Sequence, residues 1–235
     1  MPFNRLLSAG LASLNITPTA KQLELLARYA SNMFSEGETR GLTALKDPEK
    51  LARELIIDAV SAVPLLREAA HIADLGSGGG TPGLPLAIML ENSRFTLVES
   101  NQRKARWIAE QIADLQLQDR VSVSTKRIEE LGRDSAYRQR CDAVVAKALA
   151  ALPALVELAV PLLRVQGQLC AYKGSKFAQE IADSQRALRE LRAQVHSVYH
   201  YSLEGMDRVI VQIVKLQDTP KIYPRRIGLP QHSPL

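Results

Sequence analysis

The sequence predicts an α/β fold: a largely parallel sheet closed by a C-terminal antiparallel hairpin, behind an N-terminal helical extension. Three observations carry this. Strand and helix patterns alternate from about residue 71 onward, the rhythm of a parallel sheet covered on both faces. The first apolar run then dissolves into glycines, His71-Ile72-Ala73-Asp74-Leu75-Gly76-Ser77-Gly78-Gly79-Gly80-Thr81-Pro82-Gly83. Near the end, strand-like runs over 194–201 and 208–216 are separated by the short turn Ser202-Leu203-Glu204-Gly205-Met206, and so short a connection joins only an antiparallel pair.

Residues from about 4 to 14, 19 to 35 and 47 to 60 carry apolar side chains at helical spacing, with Thr17 or Thr19 near one start and Asp47-Pro48 near another. They predict a helical extension over 1–70, docked on the sheet because no long linker follows. Strands are expected at 72–75, 95–99, 121–124, 143–147 and 167–173. Asn101 opens a helix whose Ala105, Ile108, Ile112 and Leu115 recur at helical spacing, with Trp107 as a packing residue, and another helix is expected over 176–191. The sheet domain thus spans 71–216, and 217–235 form a basic, proline-rich tail.

The chain's 235 residues, 46% of them hydrophobic, suffice for one substantial core plus an extension. No apolar run reaches membrane length and no signal-peptide hydrophobic region follows Met1-Pro2-Phe3-Asn4-Arg5, which predicts a cytoplasmic protein without membrane contact. Cys141 and Cys170 lie far apart with no metal-ligand spacing around them, so neither zinc nor a disulfide is expected. His71, His196, His200 and His232 form no acid–base or metal constellation, and no metal ligand set is proposed. A net charge of +5 favours an anionic partner. Residues 221–235 hold three cations, Lys221, Arg225 and Arg226, and no acid; they read either as a contact for that partner or as an untethered terminus.

The glycine segment is a strand feeding a helix through a turn nearly without side chains, which lets a ligand touch backbone. Gly78-x-Gly80-x-x-Gly83 fits the dinucleotide pattern, whereas Asp74-x-Gly76-x-Gly78-x-Gly80 fits the acidic pattern of S-adenosylmethionine enzymes. Asp74 favours the latter, since an anion ahead of the loop repels a pyrophosphate but can order the loop near a cationic cofactor. Glu99, ending the second strand, can accept both hydroxyls of a ribose in either class. A parallel sheet closed by an antiparallel hairpin is similar to the Rossmann-like, seven-strand sheet of S-adenosylmethionine-dependent methyltransferases. A nicotinamide-dependent oxidoreductase stays open as the other reading of the loop.

The ordered set of motifs resembles one family, the bacterial small-subunit ribosomal RNA methyltransferase G family, RsmG or GidB. The similarity runs through Asp74-Leu75-Gly76-Ser77-Gly78-Gly79-Gly80-Thr81-Pro82-Gly83-Leu84-Pro85-Leu86-Ala87-Ile88, Arg127-Ile128-Glu129-Glu130, Tyr172-Lys173-Gly174, and the tail from Tyr223-Pro224-Arg225-Arg226 to Pro234-Leu235. The resemblance implies that Gly76 and Thr81 contact the cofactor, that Glu99 holds its ribose and that Ile128 and Glu129 flank its adenine. Ile128 also reads as a packing residue. Lys147 stands at a strand end where the family has arginine; it faces cofactor or substrate, or is a solvated strand-end lysine. Gly41, Leu55 and Ala59 depart from the family's usual residues, while Asp58 matches.

The reaction the resemblance implies is methyl transfer to N7 of a guanine in small-subunit (16S) ribosomal RNA, free or in the assembled subunit. N7 carries an unprotonated lone pair, so no general base and no catalytic side chain is expected. Asp74, Gly76, Gly78, Gly80, Thr81, Glu99, Ile128, Glu129 and Lys147 are the cofactor candidates, and Lys173, Arg225 and Arg226 the RNA candidates. A monomer is expected. Two other functions stay open: an S-adenosylmethionine methyltransferase for a small molecule or protein, and a non-catalytic module that binds the cofactor and RNA.

Overall fold

The computed structural model describes residues 2–235. Its helical extension begins with α1 (Pro2–Ser13) and α2 (Ala20–Glu36). Thr19 caps α2 reciprocally with Gln22, so the start is fixed by side chains that satisfy free N–H groups. Asp47 caps α3 (Pro48–Leu51) through the Lys50 N–H at 2.9 Å. The chain then widens into a π turn, Ala52–Ile57, before α4 (Asp58–Val60) and α5 (Val63–Leu66). Such turns often sit at functional sites.

The sheet has seven strands, β1 (His71–Leu75), β2 (Arg94–Val98), β3 (Val121–Ser124), β4 (Cys141–Lys147), β5 (Leu163–Lys173), β6 (Ala193–Leu203) and β7 (Met206–Lys215), in the order β3-β2-β1-β4-β5-β7-β6. The first five are parallel to one another, and β7 runs antiparallel between β5 and β6. Glu204 and Gly205, with φ of +49° and +79°, make the hairpin turn, the two-residue geometry that matches strand twist. Helices α6 (Gly83–Met89), α7 (Gln102–Asp114), α8 (Ile128–Leu131), α9 (Leu152–Ala159), α10 (Phe177–Asp183), α11 (Gln185–Leu191) and α12 (Leu229–His232) complete the chain.

Alternation along the strands splits the core between the faces. Ile72, Ala143, Val145 and Cys170 pack with the N-terminal helices, α6 and α7, whereas Ala73, Leu75, Val144, Ala146 and Ala171 pack with α9 and α11. The helical extension therefore shares one core with one face of the sheet. Burial pushes the Cys141 and Cys170 thiols up to about 12.

Several boundaries differ from the sequence reading. The helix expected over 176–191 breaks at Ser184, whose hydroxyl donates to the Glu180 carbonyl at 2.6 Å, competing with the helical ladder. Strand β5 begins at Leu163, four residues earlier than predicted, because Arg164, Val165 and Gln166 are exposed and carry no apolar pattern. Pro82 sits just outside α6, which starts at Gly83. No described helix is long and apolar enough to cross a membrane.

Candidate active site

The glycine loop lies between β1 and α6, pinned from every side. The N–H groups of Gly76 and Ser77 both donate to the Val98 carbonyl, at 2.9 and 3.1 Å, and the Gly80 N–H to the Ser77 carbonyl at 2.7 Å. The Gly79 carbonyl accepts from the Tyr29 hydroxyl at 2.9 Å and the Trp107 indole N–H at 3.0 Å. Trp107 thus packs, as expected, but also holds the loop; Tyr29 was not legible from the sequence. Gly76 has φ +70°, and a Cβ there would lie 2.6 Å from Leu149 Cδ1, so both conformation and space call for glycine.

Glu99 is the loop's partner across the strand ends. Its Oε2 accepts the Gly78 N–H at 2.9 Å and its Oε1 the Asn101 N–H at 2.8 Å. Each oxygen keeps a further lone pair for a hydroxyl. Gly76, Gly78, Glu99, Ile128, Glu129, Leu149 and Leu158 are among the residues lining a cavity of about 330 Å³, whose mouth carries Lys104, Lys126 and Arg127. A carboxylate facing bare backbone beside apolar walls suits a nucleoside: hydroxyls on one side, a flat base on the other.

The remaining candidates fall elsewhere. Asp74 is fully buried behind the loop, where its Oδ2 accepts the Gly83 N–H at 2.9 Å at the start of α6. Burial pushes its carboxyl up to about 7, against the lowering effect of that N–H, and Oδ1 has no partner among the described residues. Asp74 shapes the loop from beneath and does not line the cavity, because the chain turns over it. Gly80 is likewise turned inward against Leu84 and Tyr29, and Thr81 bonds through its N–H to the Ser77 carbonyl at 3.0 Å.

Lys147 also lies outside the nucleoside cavity. Its Nζ pairs with Asp58 and donates to the Glu54 carbonyl, so the π turn of the extension captures it. Lys147 and Asp58 belong to a second cavity of about 280 Å³, with Tyr172, Lys173, Glu180, Tyr201 and Arg208. Tyr201 donates to Asp58 Oδ1 at 2.7 Å, and Arg208 Nη2 to Glu54 Oε2 at 3.0 Å. Ala148, at φ +55°, lines both cavities. The two open side by side at the C-terminal ends of the parallel strands, where such sheets bind ligands.

Two of the three residues expected to meet RNA are committed within the protein. Lys173 donates to Glu180 Oε2 at 2.7 Å and to the Ala150 carbonyl at 2.8 Å. Arg225 forks onto Glu157, with Nη2 to Oε2 at 2.6 Å. Glu157 is fully buried, and a buried carboxylate of this kind requires a paired cation; the guanidinium is therefore not free for phosphate. Arg226 is exposed. Nor is the tail an untethered terminus, since Arg138 donates to the Thr219, Pro220 and Tyr223 carbonyls at 2.8–3.2 Å. Glu157 could have been found from the sequence, as an acid inside the otherwise apolar helix Leu152–Ala159.

The family described as rRNA small subunit methyltransferase G (GidB) matches residues 22–211. Relatives named ribosomal RNA small subunit methyltransferase G align over nearly the whole chain. The protein of Desulfitobacterium hafniense is 34% identical over 94% of this chain and 93% of its own length. That of Chloroflexus aggregans is 36% identical over 98% of each. The chain belongs to this family. Among solved structures, an O-methyltransferase from Bacillus cereus in complex with SAH superposes with a TM-score of 0.58 at 19% identity, covering 87% of this chain and 95% of that one. A geranyl diphosphate C-methyltransferase from Streptomyces coelicolor gives 0.56 at 17% identity, over 84% and 98%. At these identities the likeness concerns the fold, an α/β methyltransferase sheet of seven strands.

Within the methyltransferase G family this chain's departures map to the extension. Gly41 is exposed, at φ +67°. Ala59 is buried, and its carbonyl accepts the Tyr172 hydroxyl beside the second cavity. Leu55 is half-buried on the π turn. None of the three lines the nucleoside cavity.

Proposed function

We propose that this protein transfers a methyl group from S-adenosylmethionine to N7 of a guanine in small-subunit ribosomal RNA. The observation that carries the proposal is the pair of cavities sharing Ala148, one built for a nucleoside and one beside it, in a chain of the methyltransferase G family. In this reading Glu99 accepts the ribose hydroxyls, the backbone at Gly76 and Gly78 lies along the cofactor, and Ile128, Glu129, Leu149 and Leu158 enclose the adenine. Asp74, Gly80 and Thr81 act by fixing the loop. The bound cofactor supplies a methyl group already activated on a sulfonium.

The second cavity receives the guanine. Asp58 is held on both oxygens, by Lys147 and by Tyr201, and burial raises the Tyr201 hydroxyl well above its ordinary value. N7 needs no proton taken, so the reaction asks for no base here. The task of these residues is alignment: they hold the purine with its N7 lone pair directed past Ala148, and such positioning alone removes much of a bimolecular barrier. Phosphates of the RNA meet Arg226 together with Lys104 and Arg127 at the mouth of the first cavity, in place of the committed Lys173 and Arg225. Residues 1–70 brace the acceptor side, 71–216 hold the cofactor and 217–235 close around it. One chain carries both cavities, so a monomer suffices, and a ribosomal substrate places it in the cytoplasm.

The test is genetic. In a strain lacking the protein, N7-methylguanine disappears from the small-subunit RNA; wild type restores it and Gly76→Asp does not. An unchanged methylation pattern in the deletion strain sinks the proposal.

A further inference from the structure

The C-terminal segment reaches the nucleoside cavity. Beyond β7 it is fastened in sequence: Arg138 holds the carbonyls of Thr219, Pro220 and Tyr223, and Arg133 donates to the Pro224 carbonyl at 3.0 Å. Arg225 gives Glu157 both its backbone N–H, at 2.8 Å, and its guanidinium. Three residues later the Gly228 N–H donates at 2.8 Å to Oε1 of Glu129, which is buried and itself lines the cavity. Helix α12 follows and places Gln231 in the same lining, with Ile128, Glu129 and Leu158.

These fixings concern the position of the segment, yet the side chain they deliver is polar and uncommitted. Among the described residues no hydrogen bond engages the Gln231 carboxamide. A carboxamide presents one donor and one acceptor side by side, the pattern that pairs with the amino group and neighbouring ring nitrogen of adenine. The edge read is N6–N7: there hypoxanthine carries a carbonyl in place of the amino group and offers two acceptors, so the carboxamide keeps only one of its two hydrogen bonds, whereas at N1 a flipped carboxamide would pair with either base.

We infer that Gln231 reads the base of the cofactor, and that the C-terminal segment, latched by Glu157 and Glu129, is the wall that makes the nucleoside cavity selective for adenine. The inference rests on the reading of that cavity as the cofactor site. It gives the basic, proline-rich tail a function in cofactor recognition, while Lys221 and Arg226 stay exposed to solvent.

Calorimetry on the full-length protein with S-adenosylhomocysteine and S-inosylhomocysteine separates the two claims. The wild type binds the adenosyl compound in preference to the inosyl one. Gln231→Ala weakens adenosyl binding by about three- to tenfold, the value of one or two neutral hydrogen bonds, and leaves the inosyl compound nearly as well bound as before. No preference in the wild type, or the same preference in the variant, overturns the inference while leaving the cofactor assignment standing. A wild type that binds neither compound overturns the cofactor assignment itself. Amide hydrogen exchange gives a readout without substitution: S-adenosylhomocysteine slows exchange over 228–233, and unchanged rates there contradict a wall formed by this segment.

Discussion

Asp74 and the glycines after it show how much single residues decide here. The folded Asp74 carboxyl keeps its proton to about 7, against an ordinary value of 3.8. The folded chain therefore binds more protons than the unfolded one between those values, and this group's contribution to stability falls as pH rises through that window. Asp74→Asn has no proton to lose and can still accept the Gly83 N–H. Its melting temperature gains on that of wild type as pH goes from about 4.5 to about 8, and a constant difference would contradict the burial argument. Gly76→Ala and Gly78→Ala each carry about 1–2 kcal/mol of left-handed strain. Only the former pushes Leu149 from its place in the cavity wall, since a Cβ at Gly78 would meet no atom closer than 4.0 Å. Calorimetry with S-adenosylhomocysteine should show the larger loss for Gly76→Ala; equal losses would mean that Leu149 is not a wall. Glu99 and these glycines were legible because strand-end acids and loop glycines report on local backbone. Tyr29, the hydrogen bond from Trp107 to the loop and the approach of Gln231 to the cavity were not, because they come from contacts with distant parts of the chain.

Between elements, two ion pairs fix what the sheet alone leaves loose. Arg225→Met strands the buried Glu157 carboxylate and should cost about 3 kcal/mol in urea unfolding, most of it recovered when Glu157→Leu is added. A loss under about 1 kcal/mol would place the pair among weak surface bridges. Lys147, paired with Asp58 at the start of α4 and donating to the Glu54 carbonyl in the π turn, ties both to the end of β4. Lys147→Met should leave S-adenosylhomocysteine affinity within about twofold, because the side chain does not line the first cavity, while methyl transfer to RNA falls by at least about tenfold if alignment is its role. Equal losses in both would return Lys147 to the cofactor site. The parallel strands and the hairpin were readable from alternation and turn length. The π turn was not: 47–60 reads as one helix, and only packing against Lys147 and Arg208 distinguishes its middle. The tail's order escaped for a similar reason, since its anchors, Arg138, Glu157 and Glu129, lie in other elements.

On the scale of the whole molecule, the helical extension, the sheet and the C-terminal segment converge on the C-terminal ends of the strands. The extension supplies Asp58 to the second cavity, the sheet supplies the loop and Glu99 to the first, and the tail supplies Gln231. The net charge of +5 is only a weak pointer to RNA, and the cations nearest the cavities are partly consumed by internal pairs. If the protein acts on RNA as proposed, recognition would rest on a few exposed cations and on shape, which predicts a structured substrate rather than an extended strand. The most direct measurement is transfer of label from methyl-labelled S-adenosylmethionine to undermodified small ribosomal subunits, with naked ribosomal RNA alongside, mapped by nuclease digestion. Label at a single guanine N7 is the predicted result, with the better substrate showing whether assembly is read. Cofactor binding without transfer to either RNA would contradict the central claim.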